Sequence, residues 1–340
     1  MNEVKIGLVG LGWGKNHIKA YAAVGGARVV AIADDAAVVR GENKPVGEYV
    51  AALGAKHYID GVRMIEETDI DAVDLAVAPK WREPLLRAAA KRGLPVLMEK
   101  PMANNLPQAE RFAKIARDAG IPLMMEYPLR FHPAMQRARQ LLGDGPLGAP
   151  LSVTAELQTS WNPPAGHWCW AVDVEGGVVT ECGCHLIDTV CFLCGKPERV
   201  FAMGRSVRGH GQTVDTAALT IEFENGCCAV LNEGGLGTMG FNTPMYVKVY
   251  ADKGEILVAG EDWVYHDVAW APAGRGEPMR RERLEGPPRL ELLRQNLIEF
   301  IRVARGEMAP PCSAEDGLIV QRVIAAMVQS IQSGRAERVS

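Results

Sequence analysis

The sequence has no run of about 18 residues free of charged side chains, the length a helix needs to cross a membrane. The most apolar candidate, Gly176 to Gly195, is interrupted by Glu181, His185 and Asp188, so no membrane partner is expected. The opening "MNEVKIGLVG" lacks the basic and long apolar segments of a secretory leader, which makes a cytoplasmic location the expectation. An excess of one charge is also missing. A net charge of -4 and a pI of about 6.0 leave no electrostatic footprint for nucleic acid. There is no internal repeat and no low-complexity linker. Cysteine is present eight times, but a chain of this length without a leader is expected to keep free thiols rather than a disulfide framework.

What is present is enough chain for two cores, since 340 residues exceed what one core usually holds. Up to about residue 127, apolar strands alternate with helical stretches: "KIGLVGLG", then "HIKAYAAV"; "ARVVAIADD", then "VGEYVAALGA". "DAVDLAVAP", "PVLMEK" and "IPLMMEY" continue the series, with "REPLLRAAAKRG" and "LPQAERFAKIARDAG" as glycine-closed helices. This order predicts a doubly wound parallel sheet covered on both faces, in a domain of residues 1–127. Beyond it come the helix "HPAMQRARQLLGDG" and closely spaced strands such as "PLSVTAELQ", "TAALTIEF" and "MYVKVYA". Residues 128–340 are therefore expected as an α+β domain with an open, mainly antiparallel sheet, ending in two helices.

The turn "GLVGLGWGKNH" joins the first strand to the first helix. Gly10 and Gly12 begin a dinucleotide fingerprint, in which a tight turn and a bare backbone meet a pyrophosphate at a helix N-terminus. The usual third glycine would fall at position 15, but Lys15 stands there and Gly14 precedes it, so the turn is expected to be one residue shorter. Asp34 ends the second strand where a ribose-binding acid belongs, and Asp35 follows. Two carboxylates there repel a 2′-phosphate, which favours NAD over NADP. The alternative is a structural turn with two solvated aspartates.

Ligands of a doubly wound sheet bind at the carboxyl ends of its strands. In "VLMEKP", Glu99 and Lys100 lie at such an end, where they would face the cofactor and Lys100 could donate to a substrate hydroxyl. Read by themselves, they are equally well an exposed ion pair. In "ECGCHLID", Glu181, His185 and Asp188 fall at i, i+4 and i+7, on one face if helical. A carboxylate beside an imidazole can orient it and raise its pKa toward working pH. A helix start with polar contacts is the plainer alternative. Metal is not expected: Cys184 and Cys191 would lie about 10.5 Å apart along a helix and could not converge on one ion with Cys182.

In combination these pieces resemble the Gfo/Idh/MocA family, NAD(P)-dependent dehydrogenases related to glucose–fructose oxidoreductase and inositol dehydrogenase. The resemblance runs through the glycine turn, "IDAVDLAVAP", "EKP", "RFHP", "GPLG", "EGGVVTECGCHLID" and "SAEDGLIVQRVIAAMVQS", nearly the whole chain. It implies a Rossmann domain followed by a domain with an open antiparallel sheet. It also implies that Lys100 is the catalytic lysine and His185 the catalytic histidine. Glu181 stands where relatives commonly carry aspartate. Arg82, where relatives often carry histidine, would favour an anionic substrate if near the site. The Trp161–Trp170 segment either approaches the substrate or packs. The expected activity is hydride transfer between NAD and a secondary alcohol of a sugar, cyclitol or related polyol. A redox-assisted glycosidase and a non-catalytic NAD-binding regulator are the alternatives. A homodimer or homotetramer is expected, because an open sheet leaves a broad face uncovered.

Overall fold

A computed structural model describes residues 3–208, 213–238, 244–274, 276–284 and 289–340. It divides into two compact units, residues 1–126 with 293–318, and residues 127–292 with 319–340.

The first unit runs β1 (Val4–Val9), α1 (Gly14–Val24), β2 (Ala27–Ala33), α2 (Val46–Ala52), β3 (Lys56–Tyr58), α3 (Gly61–Glu67), β4 (Ala72–Leu75), α4 (Arg82–Lys91), β5 (Val96–Glu99), α5 (Leu106–Ala119) and β6 (Leu123–Glu126). All six strands are parallel, in the order β3-β2-β1-β4-β5-β6. The order reverses between β1 and β4, the topological switch point of a Rossmann sheet. Every residue of β4, β5 and β6 is buried, as expected of strands covered on both faces. Asn105 caps α5 by accepting from the Gln108 N–H at 3.1 Å, and Gly120 closes it at φ +64°.

The second unit contains α6 (Pro133–Leu141), β7 (Pro150–Gln158), α7 (Cys184–Cys194), β8 (Pro197–Arg205), β9 (Thr216–Phe223), β10 (Cys228–Gly234), β11 (Pro244–Ala251), β12 (Gly254–Glu261), β13 (Val264–Pro272) and β14 (Arg280–Arg283). The chain ends with α8 (Arg289–Ala304), α9 (Ala314–Ser333) and β15 (Glu337–Arg338). Nine strands form one sheet, β14-β13-β12-β11-β7-β10-β9-β8-β15, antiparallel except where β10 runs parallel to β7. Burial alternates along β9, so one face packs inward and the other is open. Leu151, Phe201, Met203, Val230 and Tyr250 are exposed apolar residues of these strands. All eight cysteines are free. No helix among the described residues is long and apolar enough to cross a membrane.

Candidate active site

The glycine turn divides its labour among three positions. Gly10 has φ +96°, and a Cβ there would lie 2.7 Å from the Ala76 carbonyl oxygen. Only glycine fits this tight turn against β4. Gly12 meets nothing within 4 Å, which leaves bare backbone for a pyrophosphate. Gly14 opens α1, where a Cβ would come 3.0 Å from Leu8 Cδ2 and 3.1 Å from Ala76 Cβ. It does the close helix–strand packing of the usual third glycine, one residue early. The N-terminal amides of α1 meet the turn, the arrangement that attracts phosphate. Asp34 closes the other side: its Oδ2 accepts from the Leu11 N–H at 2.6 Å and its Oδ1 from the Ala36 N–H at 2.9 Å. A carboxylate held against the turn in this way is placed for a ribose, so these residues fit NAD.

Glu99 is not part of an exposed ion pair. It is 7% exposed, and its Oε1 lies 3.0 Å from His17 Nε2. His17 Nδ1 lies 2.8 Å from Asp74 Oδ2, which also accepts from the Tyr21 hydroxyl at 3.1 Å. Burial alone would lower the His17 pKa, but the charges and hydrogen bonds of Asp74 and Glu99 outweigh it and hold the imidazole well above its ordinary value. Glu99 is the mirror case: burial pushes it up, while His17, Lys100 and Arg82 together hold it below the usual carboxylate value. Glu126, at the end of β6, is pushed up to about 8 by burial and by the charge on Glu99. His17, Glu99 and Glu126 offer ligand atoms within 4.8 Å of one another, a group with metal-binding spacing. Its members lie far apart in the chain, so no local spacing announces the group.

Arg82 is 1% exposed, and its guanidinium donates to the Val77 carbonyl at 2.9 Å, to the Met102 carbonyl at 3.2 Å and to the Pro101 carbonyl. Through these carbonyls it braces the "EKP" turn. Lys100, between the braced residues, is half-buried.

In the second unit, Glu181 and His185 do not lie on one regular helix. Residues Val179–Gly183 form a π-helical turn, and α7 begins only at Cys184. Such turns are frequent at functional sites. Gly176 and Gly177 lead into it at φ +74° and +54°. Beneath it, a Cβ at Gly183 would lie 2.7 Å from Glu233 Oε2. Glu233, on β10, is fully buried, neither carboxyl oxygen has a hydrogen-bond partner among the described residues, and burial pushes its pKa up to about 8.

His185 is 6% exposed and sits between two aromatic rings. Tyr127 meets it edge-on at 6.0 Å and Trp263 at 5.2 Å. Trp263 escaped sequence reading because its hairpin turn carries no glycine signal. Asp188 is structural: it forms a buried, two-pronged ion pair with Arg130, one arm at 3.1 Å. Trp170 packs in a cluster with Cys169, Val178 and Cys182, and Trp161 and Trp168 lean on it.

Two family models match the chain. "Oxidoreductase family, NAD-binding Rossmann fold" covers residues 4–127 and "GFO/IDH/MocA C-terminal domain" covers residues 135–257. The chain is 27% identical to a D-apiose dehydrogenase of Paraburkholderia graminis, over 68% of its own length and 60% of the relative's. It is 25% identical to the myo-inositol 2-dehydrogenase of Thermotoga maritima, over 98% of each. The structure of a levoglucosan dehydrogenase in complex with NADH and levoglucosan superposes with a TM-score of 0.88 at 21% identity, covering 99% of this chain and 100% of that one.

Proposed function

The chain belongs to the GFO/IDH/MocA oxidoreductase family, NAD-dependent dehydrogenases of CH–OH groups, and from that premise we propose that it oxidises a secondary alcohol of a sugar, cyclitol or related polyol. The observation that carries the reading is the braced turn after β5. Arg82 holds its carbonyls and His17 holds Glu99, so Lys100 is presented from a fixed backbone at the carboxyl edge of the sheet that holds the glycine turn.

NAD, when bound, supplies the hydride acceptor. The turn built by Gly10, Gly12 and Gly14 would receive its pyrophosphate and Asp34 its ribose hydroxyls. Residues 1–127 thus bind cofactor, and residues 128–340 bind substrate and a second copy of the chain. Lys100 would donate a hydrogen bond to the reacting hydroxyl, favour its ionised form and help to hold the cofactor. Glu99 acts by holding that turn. His185 takes the hydroxyl proton, and Glu181 orients His185 or a second hydroxyl. The exposed apolar residues of the open sheet face, Phe201, Met203 and Tyr250 among them, support a homodimer or homotetramer.

The test is a panel of sugars, inositols and sugar acids followed by NADH absorbance. Steady net reduction of added NAD is expected. Product formation without it identifies a redox-assisted glycosidase, and tight NAD binding without any turnover identifies a regulator. Lys100→Met is expected to lower kcat about 10²-fold or more while NAD binding persists. Near-normal turnover in that variant rejects the mechanism. With NADP, kcat/KM is expected to be lower than with NAD, and equal values would overturn the assignment of Asp34.

A further inference from the structure

We propose that Trp263 is a substrate-stacking residue, presenting its indole face to the C–H surface of a sugar or cyclitol beside His185. The proposal rests on the dehydrogenase reading above and assigns it a specificity-determining group.

β12 and β13 are joined by a two-residue loop, since Glu261 pairs with Val264 and only Asp262 and Trp263 lie between them. Both loop residues have positive φ, +50° at Asp262 and +70° at Trp263. Two-residue hairpins of this kind favour Asn or Asp first and glycine second, because both positions are left-handed. Asp262 obeys the rule. Trp263 occupies the position where glycine closes the hairpin with least strain, and a bulky side chain there is a true outlier. Folding of the hairpin gives no reason for the indole.

The surroundings of the ring supply one. The indole lies 5.2 Å from the His185 imidazole at an interplanar angle of 70°. It also packs against the cluster of Cys169, Trp170, Val178 and Cys182. Tyr127, the other ring beside His185, is 1% exposed and closed off, whereas Trp263 stays partly exposed. The imidazole therefore has one sealed aromatic wall and one partly open one. A flat apolar surface beside a proton acceptor matches a polyol, which offers a C–H face to a ring and its hydroxyls to polar groups. Strain kept at such a position is the pattern of a functional site.

The test uses Trp263→Leu, Trp263→Phe and Trp263→Gly, with D-xylose and myo-inositol as probes in the presence of NAD. Binding is read by saturation-transfer NMR on the probe C–H protons and turnover by NADH absorbance. Trp263→Leu keeps apolar bulk but loses the ring. It is expected to raise KM and the probe Kd about 3- to 10-fold, the scale of one aromatic contact, with kcat and NAD affinity little changed. Trp263→Phe should recover most of that loss. Trp263→Gly relaxes the turn and should show at least the KM rise of the leucine variant without a lower unfolding midpoint. An unmoved KM in Trp263→Leu overturns the proposal and leaves a packing residue. A fall in kcat with KM unmoved also overturns it, because Trp263 would then act through His185. Failure of the wild-type protein to bind either probe overturns it as well. His185→Ala separates the two readings: normal turnover there rejects the base but leaves the Trp263 binding comparison intact.

Discussion

Two buried acid sites, one in each unit, are held in opposite ways. The parallel sheet surrounds Asp74 and Glu99 with partners: His17 bridges them, Tyr21 donates to Asp74, and Arg82 and Lys100 add positive charge near Glu99. The larger sheet buries Glu233 with no partner for either oxygen among the described residues. At Glu99 charge is retained because desolvation is offset by the opposite charges of His17, Lys100 and Arg82. Glu233 keeps its proton instead. Network and solitary acid should therefore respond differently to mutation and to pH.

The largest effect is expected from His17→Ala. It leaves two buried carboxylates without their shared cation, and breaking such a pair costs about 3–5 kcal/mol. Urea unfolding of the variant measures it, and a loss below about 1 kcal/mol would mean that the network contributes no more than exposed pairs do.

Glu233 has the opposite sign. Its pKa is raised from 4.5 to about 8, so between these values the unfolded chain releases a proton that the native state retains. Its contribution is favourable below about pH 4.5, declines as pH rises through the window, and levels off above about pH 8. Glu233→Gln should flatten stability across that window and unfold later than the parent at pH 8, with a gain of about 1–3 kcal/mol. Thermal unfolding at pH 5 and pH 8 decides it, and an unchanged slope would show that Glu233 ionises normally in the native protein.

The smallest effect is one of additivity. Glu126→Gln and Glu233→Gln act in separate units with no shared partner. Their stability changes should add within about 0.5 kcal/mol. His17→Ala with Glu126→Gln should depart from additivity by more than that, because Glu126 is held up in part by Glu99, the partner of His17. Equal additivity in both double variants would erase the distinction between network and solitary acid.

Much of the first unit was legible from sequence. Its strands and helices follow one another locally, and their periodicity and closing glycines can be read within short windows. Gly14, one residue before the usual third position, packs against Leu8 and Ala76. The second sheet was legible as mainly antiparallel, but β13 and β14 were not singled out. "VYHDVAWAP" alternates weakly, and no glycine marks the turn before it. The segment "ECGCHLID", whose acids and histidine would share one face of a regular helix, begins in a π-helical turn that nothing in its spacing announces. Arg82 was read as a candidate for anion selection because sequence gives a charge its position but not its partner.

The sequence by itself determined the order of the elements, the nucleotide turn and which strand ends carry acid or base, since these depend on neighbours in the chain. Tertiary structure decided which of those groups touch. His17 meets Asp74 across 57 residues and Glu99 across 82, and Glu233 comes to lie beneath Gly183 only because β10 passes under that turn. It also returned residues 293–318 to the first unit. Burial sets the charge state of a carboxyl, and burial is a property of what the rest of the chain packs around it.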